Sequence, residues 1–174
     1  MELYDLYCKF PRISTDSRQV VAGGIFFALH GETFDGNRYA AAAVGAGAAA
    51  AVIDDPAVTD GMSAAEKANY FVVPDTLKAL QELAARHRRQ LGIPILAITG
   101  SNGKTTTKEL ISRTLKRKYR VAVTQGNFNN HIGVPLTLLA MNRSAEFDVV
   151  EMGASHCGEI ALLCSIAQPD FGLI

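Results

Sequence analysis

The stretch Pro94-Ile-Leu-Ala-Ile-Thr-Gly-Ser-Asn-Gly-Lys-Thr-Thr-Thr-Lys-Glu109 decides how the rest of the chain is read. Ile95 to Ile98 is a short apolar run of the kind that forms a strand buried on both faces. Gly100 and Gly103 then permit backbone angles that other residues resist. From Lys104 the pattern turns helical, with Leu110, Ile111, Thr114 and Leu115 expected on one side. Strand, glycine loop and helix start, in that order, form a phosphate cradle. Backbone N–H groups and the positive end of the helix dipole face the anion. In such a cradle Lys104 reaches the outer phosphates and the Thr105 hydroxyl ligates Mg²⁺. The general pattern asks for another glycine five residues before Gly103, where Ile98 stands. Gly-Lys-Thr by itself also occurs in helix-capping turns. Its place between a strand and a helix favours a nucleotide site, with ATP and Mg²⁺ as cofactors.

Composition sets the outer bounds. The 174 residues are 48% apolar and 20% charged, enough for a real core and too apolar for a disordered chain. Seventeen basic and seventeen acidic residues cancel, so binding of nucleic acid through bulk charge is not expected. The basic run Arg86-His87-Arg88-Arg89 reads as the solvated end of a helix, its cations near the negative end of the dipole. Cys8, Cys157 and Cys164 make neither a CxxC pair nor a metal set, and an odd count suggests reduced thiols in the cytoplasm. His156 beside Cys157 is no nucleophile–base pair, because adjacent side chains rarely point at one another. No apolar run approaches the ~20 residues that cross a bilayer. A soluble cytoplasmic protein is expected.

Residues 1–91 read as a small α/β unit. Met1 to Phe10 is ambiguous between helix and strand. Ser14, Thr15, Asp16, Ser17 and Arg18 follow as a hydroxyl-rich cluster, in which Arg18 could grip a pyrophosphate by a two-pronged contact. Paired at the surface, Asp16 and Arg18 would merely cap a turn. Ile25 to Leu29 is a strand, and the loop His30 to Gly36 carries Gly31, Asp35 and Gly36. Asn37 is placed to cap a helix running to Ala46, with Gly47 as its stop. Strands are expected at Ala50 to Ile53 and Tyr70 to Val73. Between them lies a loop or surface helix. Asp75 or Thr76 then caps a helix reaching Leu91, with His87 on its apolar stripe as a packed or half-exposed side chain and not a ligand.

Residues 92–174 read as a second unit. Strands at Arg120 to Thr124, Phe147 to Met152 and Asp170 to Ile174 alternate with helices at Val134 to Met141 and Gly158 to Ala167. That alternation predicts a parallel sheet with binding groups at the strands' C-terminal ends. Thr99, Thr124 and Glu151 fall there. Lys108 and Lys116, on the helix after the loop, are expected in solvent. The fold class is therefore α/β, a small substrate domain followed by a P-loop-type parallel-sheet ATPase domain. Ile174 ends an apolar strand with no closing helix, so that second domain reads as truncated.

Glu151 closes an apolar strand one step from the phosphate loop, a fit position for a second Mg²⁺ ligand beside Thr105. Thr99 to Glu109, Gly126-Asn-Phe-Asn-Asn-His-Ile-Gly-Val-Pro135 and Glu151-Met-Gly-Ala-Ser-His156 with Gly158-Glu-Ile160 together resemble the Mur ligase family. Ser14 to Arg18, Phe26-Phe27 and Gly31 through Gly36 resemble that family's UDP-substrate domain. The likeness runs the length of the chain in the right order. Asn-Phe-Asn-Asn-His and Glu-Met-Gly-Ala favour the branch that adds D-alanyl-D-alanine over those adding glutamate or a diamino acid.

The resemblance implies an ATP-dependent ligase of peptidoglycan precursor synthesis. It would join D-alanyl-D-alanine to UDP-N-acetylmuramoyl-tripeptide through an acyl phosphate, as a monomer. Gly100, Ser101, Asn102, Gly103, Lys104, Thr105 and Thr106 would hold ATP, with Lys104 and Glu151 catalytic and Thr105 and Glu151 serving Mg²⁺. Asn127, Asn129, Asn130, Ser155 and His156 would face the muramoyl-peptide. Ser14 to Arg18 with Gly31, Asp35 and Gly36 would hold the uridine diphosphate end. The family's histidine loop, its carbamylated lysine and its C-terminal domain are not among these residues, so binding without ligation is expected. Folylpolyglutamate synthase shares the loop but not the first unit. A small-molecule kinase, or a non-catalytic UDP-sugar or nucleotide-binding module, stays open.

Overall fold

Glu2 and Asp5 close a capping box around the first turn of helix α1 (Leu3–Lys9), which buries Leu6 and Tyr7. The ambiguous first segment is thus a helix. The computed structural model describes residues 2–174, and Met1, the first residue of that segment, lies outside them. The chain divides into two compact units, one running to Leu80 and the other Gln81–Ile174.

In the first unit, β1 (Ile13–Ser14), β2 (Ile25–Phe27), β3 (Ala50–Ile53) and β4 (Tyr70–Val72) form a parallel sheet in chain order. Helices α2 (Ala40–Gly45) and α3 (Ala64–Lys67) lie in the crossovers, and α4 spans Thr76–Leu91. The alanine-rich segment does what small side chains allow. Ala40, Ala43 and Ala48 pack with Phe26, Ala28, Ala51 and Ile53 in one buried cluster. The entry to α2 differs from expectation. A short 3-10 turn at Gly36–Tyr39 precedes it, and the Asp35 carboxylate, not Asn37, accepts the capping N–H, that of Asn37. Asn37 is buried and its amide is used elsewhere.

The second unit holds β5 (Ile95–Ile98), α5 (Lys104–Leu115), β6 (Val121–Val123), α6 (Gly133–Leu139), β7 (Phe147–Glu151), α7 (Glu159–Ala167) and β8 (Phe171–Leu173). The sheet is parallel throughout, in the order β6-β7-β5-β8. The fold is α/β with parallel sheets, and in this second unit the alternation predicts it. Its central strand β5 lies directly beside β7, with Ile98 opposite Glu151. The core gathers Ile95, Ile98, Val149, Val150, Leu138 and Leu163. Among the described residues no helix is long and apolar enough to cross a membrane.

Two local expectations give way to tertiary contacts. On α5 the buried residues are Lys108 and Ser112, while Leu110 is exposed. Arg88 is buried and not part of a solvated helix end. Its guanidinium donates to the carbonyls of Ala167 and Gln168 and pairs with Asp170 at 2.9 Å. Asp170 also accepts the Ile95 N–H, so this one cluster fixes the starts of β5 and β8. His87 packs as expected, its Nε2 3.1 Å from the Met141 carbonyl, and burial lowers its pKa.

Candidate functional site

The loop after β5 takes the form its glycines permit. Gly100 and Gly103 both have positive φ, at 132° and 77°. Gly103 stands at the N-terminus of α5 in the left-handed region, and no side chain caps the helix there. Ser101, Asn102, Thr105 and Thr106 are exposed. The helix start is therefore left open to an anion. Lys104 folds back across the loop, its Nζ donating to the Gly100 carbonyl at 2.6 Å.

Glu151 meets this loop from the next strand. Thr105 Oγ1 donates to its Oε2 at 3.0 Å, and Asn129 Nδ2 donates to its Oε1 at 2.9 Å. Lys108 Nζ lies 3.5 Å from Oε2. Burial alone would raise the pKa of this carboxyl. The bonds from Asn129 and Thr105 and the Lys108 charge outweigh it and hold the pKa below the ordinary value. Lys108 is thus not a solvent-facing residue. It is buried, and it also donates to the Thr124 carbonyl at 3.0 Å. The Thr124 hydroxyl in turn accepts the Glu151 N–H. Sequence reasoning missed Lys108, although its spacing one turn after Lys104 and three residues after Thr105 places all three on one side of α5.

The other residues of the two polar loops divide. Asn129 comes to Glu151 and also accepts the Gly153 N–H through its carbonyl. Asn130 turns its side-chain oxygen to the N–H groups of Ile132 and Gly133, which fixes the entry to α6. Asn127 is exposed. Ser155 and His156 are exposed and donate their N–H groups to Glu159, whose pKa these bonds lower. Thr105, Asn129 and Glu151 are brought together. The contacts of Asn130, Ser155 and His156 are local.

In the first unit, the C-terminal ends of β1, β2 and β3 carry the candidate residues and a cluster not foreseen. Ser14 Oγ is buried without a hydrogen-bond partner. The Arg18 fork closes on Asp16, at 2.7 Å from Oδ2, and this contact takes Asp16 down to a pKa of about 2. Thr15 and Ser17 are half-buried beside it. Gly36 passes so close to the backbone just after β2 that a Cβ there would stand 2.4 Å from the Leu29 carbonyl oxygen, so only glycine fits. Gly31 lies under the ring of the exposed Phe34, a side chain that could move aside for a Cβ. The unforeseen cluster centres on Asp54, just after β3. It accepts from Asn37 Nδ2 (2.7 Å) and from the Thr76 N–H and hydroxyl (both 3.2 Å), and it pairs with His30 at 2.7 Å. Burial opposes ionisation of Asp54. Bonds from Asn37, His30 and Thr76 prevail and lower its pKa, while the Asp54 bond raises that of His30.

Comparison with known proteins matches residues 9–88 to a model described as "Mur ligase family, catalytic domain", and residues 98–174 to "Mur ligase middle domain". The chain belongs to the Mur ligase family. A UDP-N-acetylmuramoyl-tripeptide--D-alanyl-D-alanine ligase from Synechocystis is 48% identical over 166 residues, covering 95% of this chain and 36% of the relative. The structure of a UDP-N-acetylmuramoylalanyl-D-glutamyl-2,6-diaminopimelate--D-alanyl-D-alanyl ligase from Acinetobacter baumannii superposes with a TM-score of 0.85 at 39% identity, covering 94% of this chain and 35% of that one. The MurF ligase from Thermotoga maritima in complex with ADP gives 0.81 at 35% identity, covering 98% and 37%. This Mur ligase chain therefore spans about a third of the length of the relatives it matches.

The donors of this Mur ligase chain fit the groups its family implies. Thr105 Oγ1 and Glu151 Oε2, 3.0 Å apart, are hard oxygen donors of the kind Mg²⁺ takes. Among the described residues no cluster of three or more His, Cys, Asp or Glu could hold a metal alone. A cation here needs oxygens beyond these two side chains to complete its shell, which water or phosphate can supply.

Proposed function

We propose that this chain is the UDP-substrate- and ATP-binding part of a ligase that joins D-alanyl-D-alanine to UDP-N-acetylmuramoyl-tripeptide in peptidoglycan synthesis. In this reading residues 1–91 hold the UDP end, and residues 92–174 belong to the ATP-binding domain. The observation that carries it is the contact of Thr105 with Glu151 beneath an uncapped glycine loop. Gly100 to Thr106 hold the phosphates with their backbone N–H groups. Lys104 exchanges the Gly100 carbonyl for the outer phosphate, stabilising charge on the moving phosphoryl group. Thr105 and Glu151 would hold Mg²⁺, which when bound would supply Lewis-acid neutralisation of that charge.

Asn129 orients Glu151 as well as lying near the peptide substrate, and Asn127, Asn130, Ser155 and His156 line its approach. In the first unit, Ser14 to Arg18 with Gly31, Asp35 and Gly36 receive the uridine diphosphate. The unpartnered Ser14 hydroxyl supports this, since a buried polar atom at a strand's C-terminal end awaits a ligand group. Arg18 would leave Asp16 for the pyrophosphate. The protein works in the cytoplasm as a monomer.

The test is ATP–Mg²⁺ titration of the 174-residue chain and of Lys104→Ala, with melting curves alongside. Lys104→Ala is expected to weaken ATP binding about 10–100-fold, the worth of a charge-assisted hydrogen bond, with the melting temperature unchanged. Equal affinity would sink the assignment of this loop. Protection by UDP-N-acetylmuramoyl-tripeptide, and not by a folate, is expected in the same melts. A coupled ADP-release assay with both substrates should show no turnover by these 174 residues.

A further inference from the structure

Lys108 has no part in the roles above, yet it is built into the same site. Its side chain and that of Glu151 are each 3% exposed, with Nζ 3.5 Å from Oε2. The donated bond to the Thr124 carbonyl holds the ammonium in place, and the Thr124 hydroxyl holds the Glu151 backbone. Glu109, half-exposed, is a second carboxylate near it, at 4.0 Å. Lys104 lies one helical turn earlier, bonded to Gly100.

We propose that Lys108 is a positioning residue that neutralises Glu151 until nucleotide arrives, so that the site takes its divalent cation only together with phosphate. The proposal rests on the reading of the loop as an ATP site. Burial keeps the Lys108–Glu151 attraction nearly unscreened. With the pair formed, the site offers a cation two oxygens and no net negative charge. A divalent ion entering alone would face the Lys108 ammonium behind one carboxylate. A triphosphate reverses that balance, bringing several negative charges and the oxygens that complete an octahedral shell. Lys108 then stays in place and keeps Glu151 aimed between Thr105 and Asn129.

The test uses Mn²⁺ as probe, followed by its electron paramagnetic resonance signal, with and without ATP. The unmodified chain should bind Mn²⁺ weakly alone and far more tightly with ATP. Lys108→Met should raise nucleotide-free Mn²⁺ affinity roughly tenfold or more, because a unit charge at this range is worth at least that even at an effective dielectric near 20. Lys108→Arg should restore the unmodified behaviour. A purely structural lysine would predict weaker binding in both states, and that outcome, or an unchanged nucleotide-free affinity, overturns the proposal. Should Lys108→Met fail to fold, the unmodified chain still decides, since Mn²⁺ binding equally tight without ATP overturns it. If that chain binds no Mn²⁺–ATP at all, the reading of the loop falls as well.

Discussion

Strand β7 carries two buried carboxylates three residues apart, and they live in opposite chemical worlds. Glu151, at the C-terminal end, is met by Thr105, Asn129 and Lys108 and is held ionised. Asp148, near the other end, is fully buried and neither oxygen finds a hydrogen-bond partner. Burial pushes its pKa up to about 7, against weaker pulls from the Val149 N–H and the Arg88 charge that make no formed hydrogen bond to it. The same residue class on the same strand thus serves opposite ends. Where donors converge, a charge is stored for use. Where they are missing, the carboxyl is tolerated as a neutral group.

The largest way to break this contrast is Glu151→Gln. It leaves the buried Lys108 ammonium with only the half-exposed Glu109 carboxylate, 4.0 Å away, as counter-charge, and loss of about 3 kcal/mol is expected at pH 7. The stability from ionised Glu151 is present above the ordinary value of 4.5 and is lost as pH falls through its lowered folded pKa. The deficit of the variant should therefore shrink in acid. Urea denaturation at pH 7 and at pH 4 measures both, and a variant as stable as its parent at pH 7 would erase the contrast.

Asp148→Asn should move stability the other way. An unfolded carboxyl releases its proton above 3.8 while the folded one keeps it to about 7, so stability falls as pH rises between those values. The neutral amide escapes that loss. The variant should match its parent near pH 4 and exceed it by about 3 kcal/mol at pH 8. The same denaturation series reads it, and a gain that is equal at all pH values would point to packing instead of charge.

The smallest effect sharpens the comparison with an intermediate case. Asp54 has convergent donors like Glu151, but its partner His30 has a side chain 49% exposed. A His30 pKa raised by Asp54 contributes stability fully present below 6.5 and lost as pH rises through the folded value. Solvent screening limits this to less than about 1 kcal/mol. His30→Gln should therefore lose a little stability at pH 6 and almost none at pH 9. Loss at pH 9 as large as at pH 6 would mean that the pair acts through geometry and not through charge.

What was legible in the sequence was whatever is local. The strand, loop and helix around Gly100 to Thr106, the alternation that makes the second unit's sheet parallel, and Glu151 at a strand end all follow from neighbours in the chain. The misreadings share one cause. Arg88 and Lys108 lie in charged runs that look solvated, yet their partners are Asp170 and Glu151, 82 and 43 positions away. His30, Asn37, Asp54 and Thr76 are scattered over three segments and meet only because the strands end side by side. Asp148 sits in an apolar strand and carries no local sign that its carboxyl will go unbonded. Periodicity reports which face a residue occupies, not who waits on that face.

The pairing of Ile98 with Glu151 makes the site brittle in a useful way. Successive residues of a strand point to opposite faces, so a slip of one place between β5 and β7 would present Val150 or Met152 to the loop in place of the acid. No gradual path leads from the working arrangement to a neighbouring one. A chain that drifts in register has no acid beside the glycine loop, and a chain in register has it at one strand spacing, about 4.8 Å, from Ile98. Assembly of the sheet therefore acts as its own proofreading step.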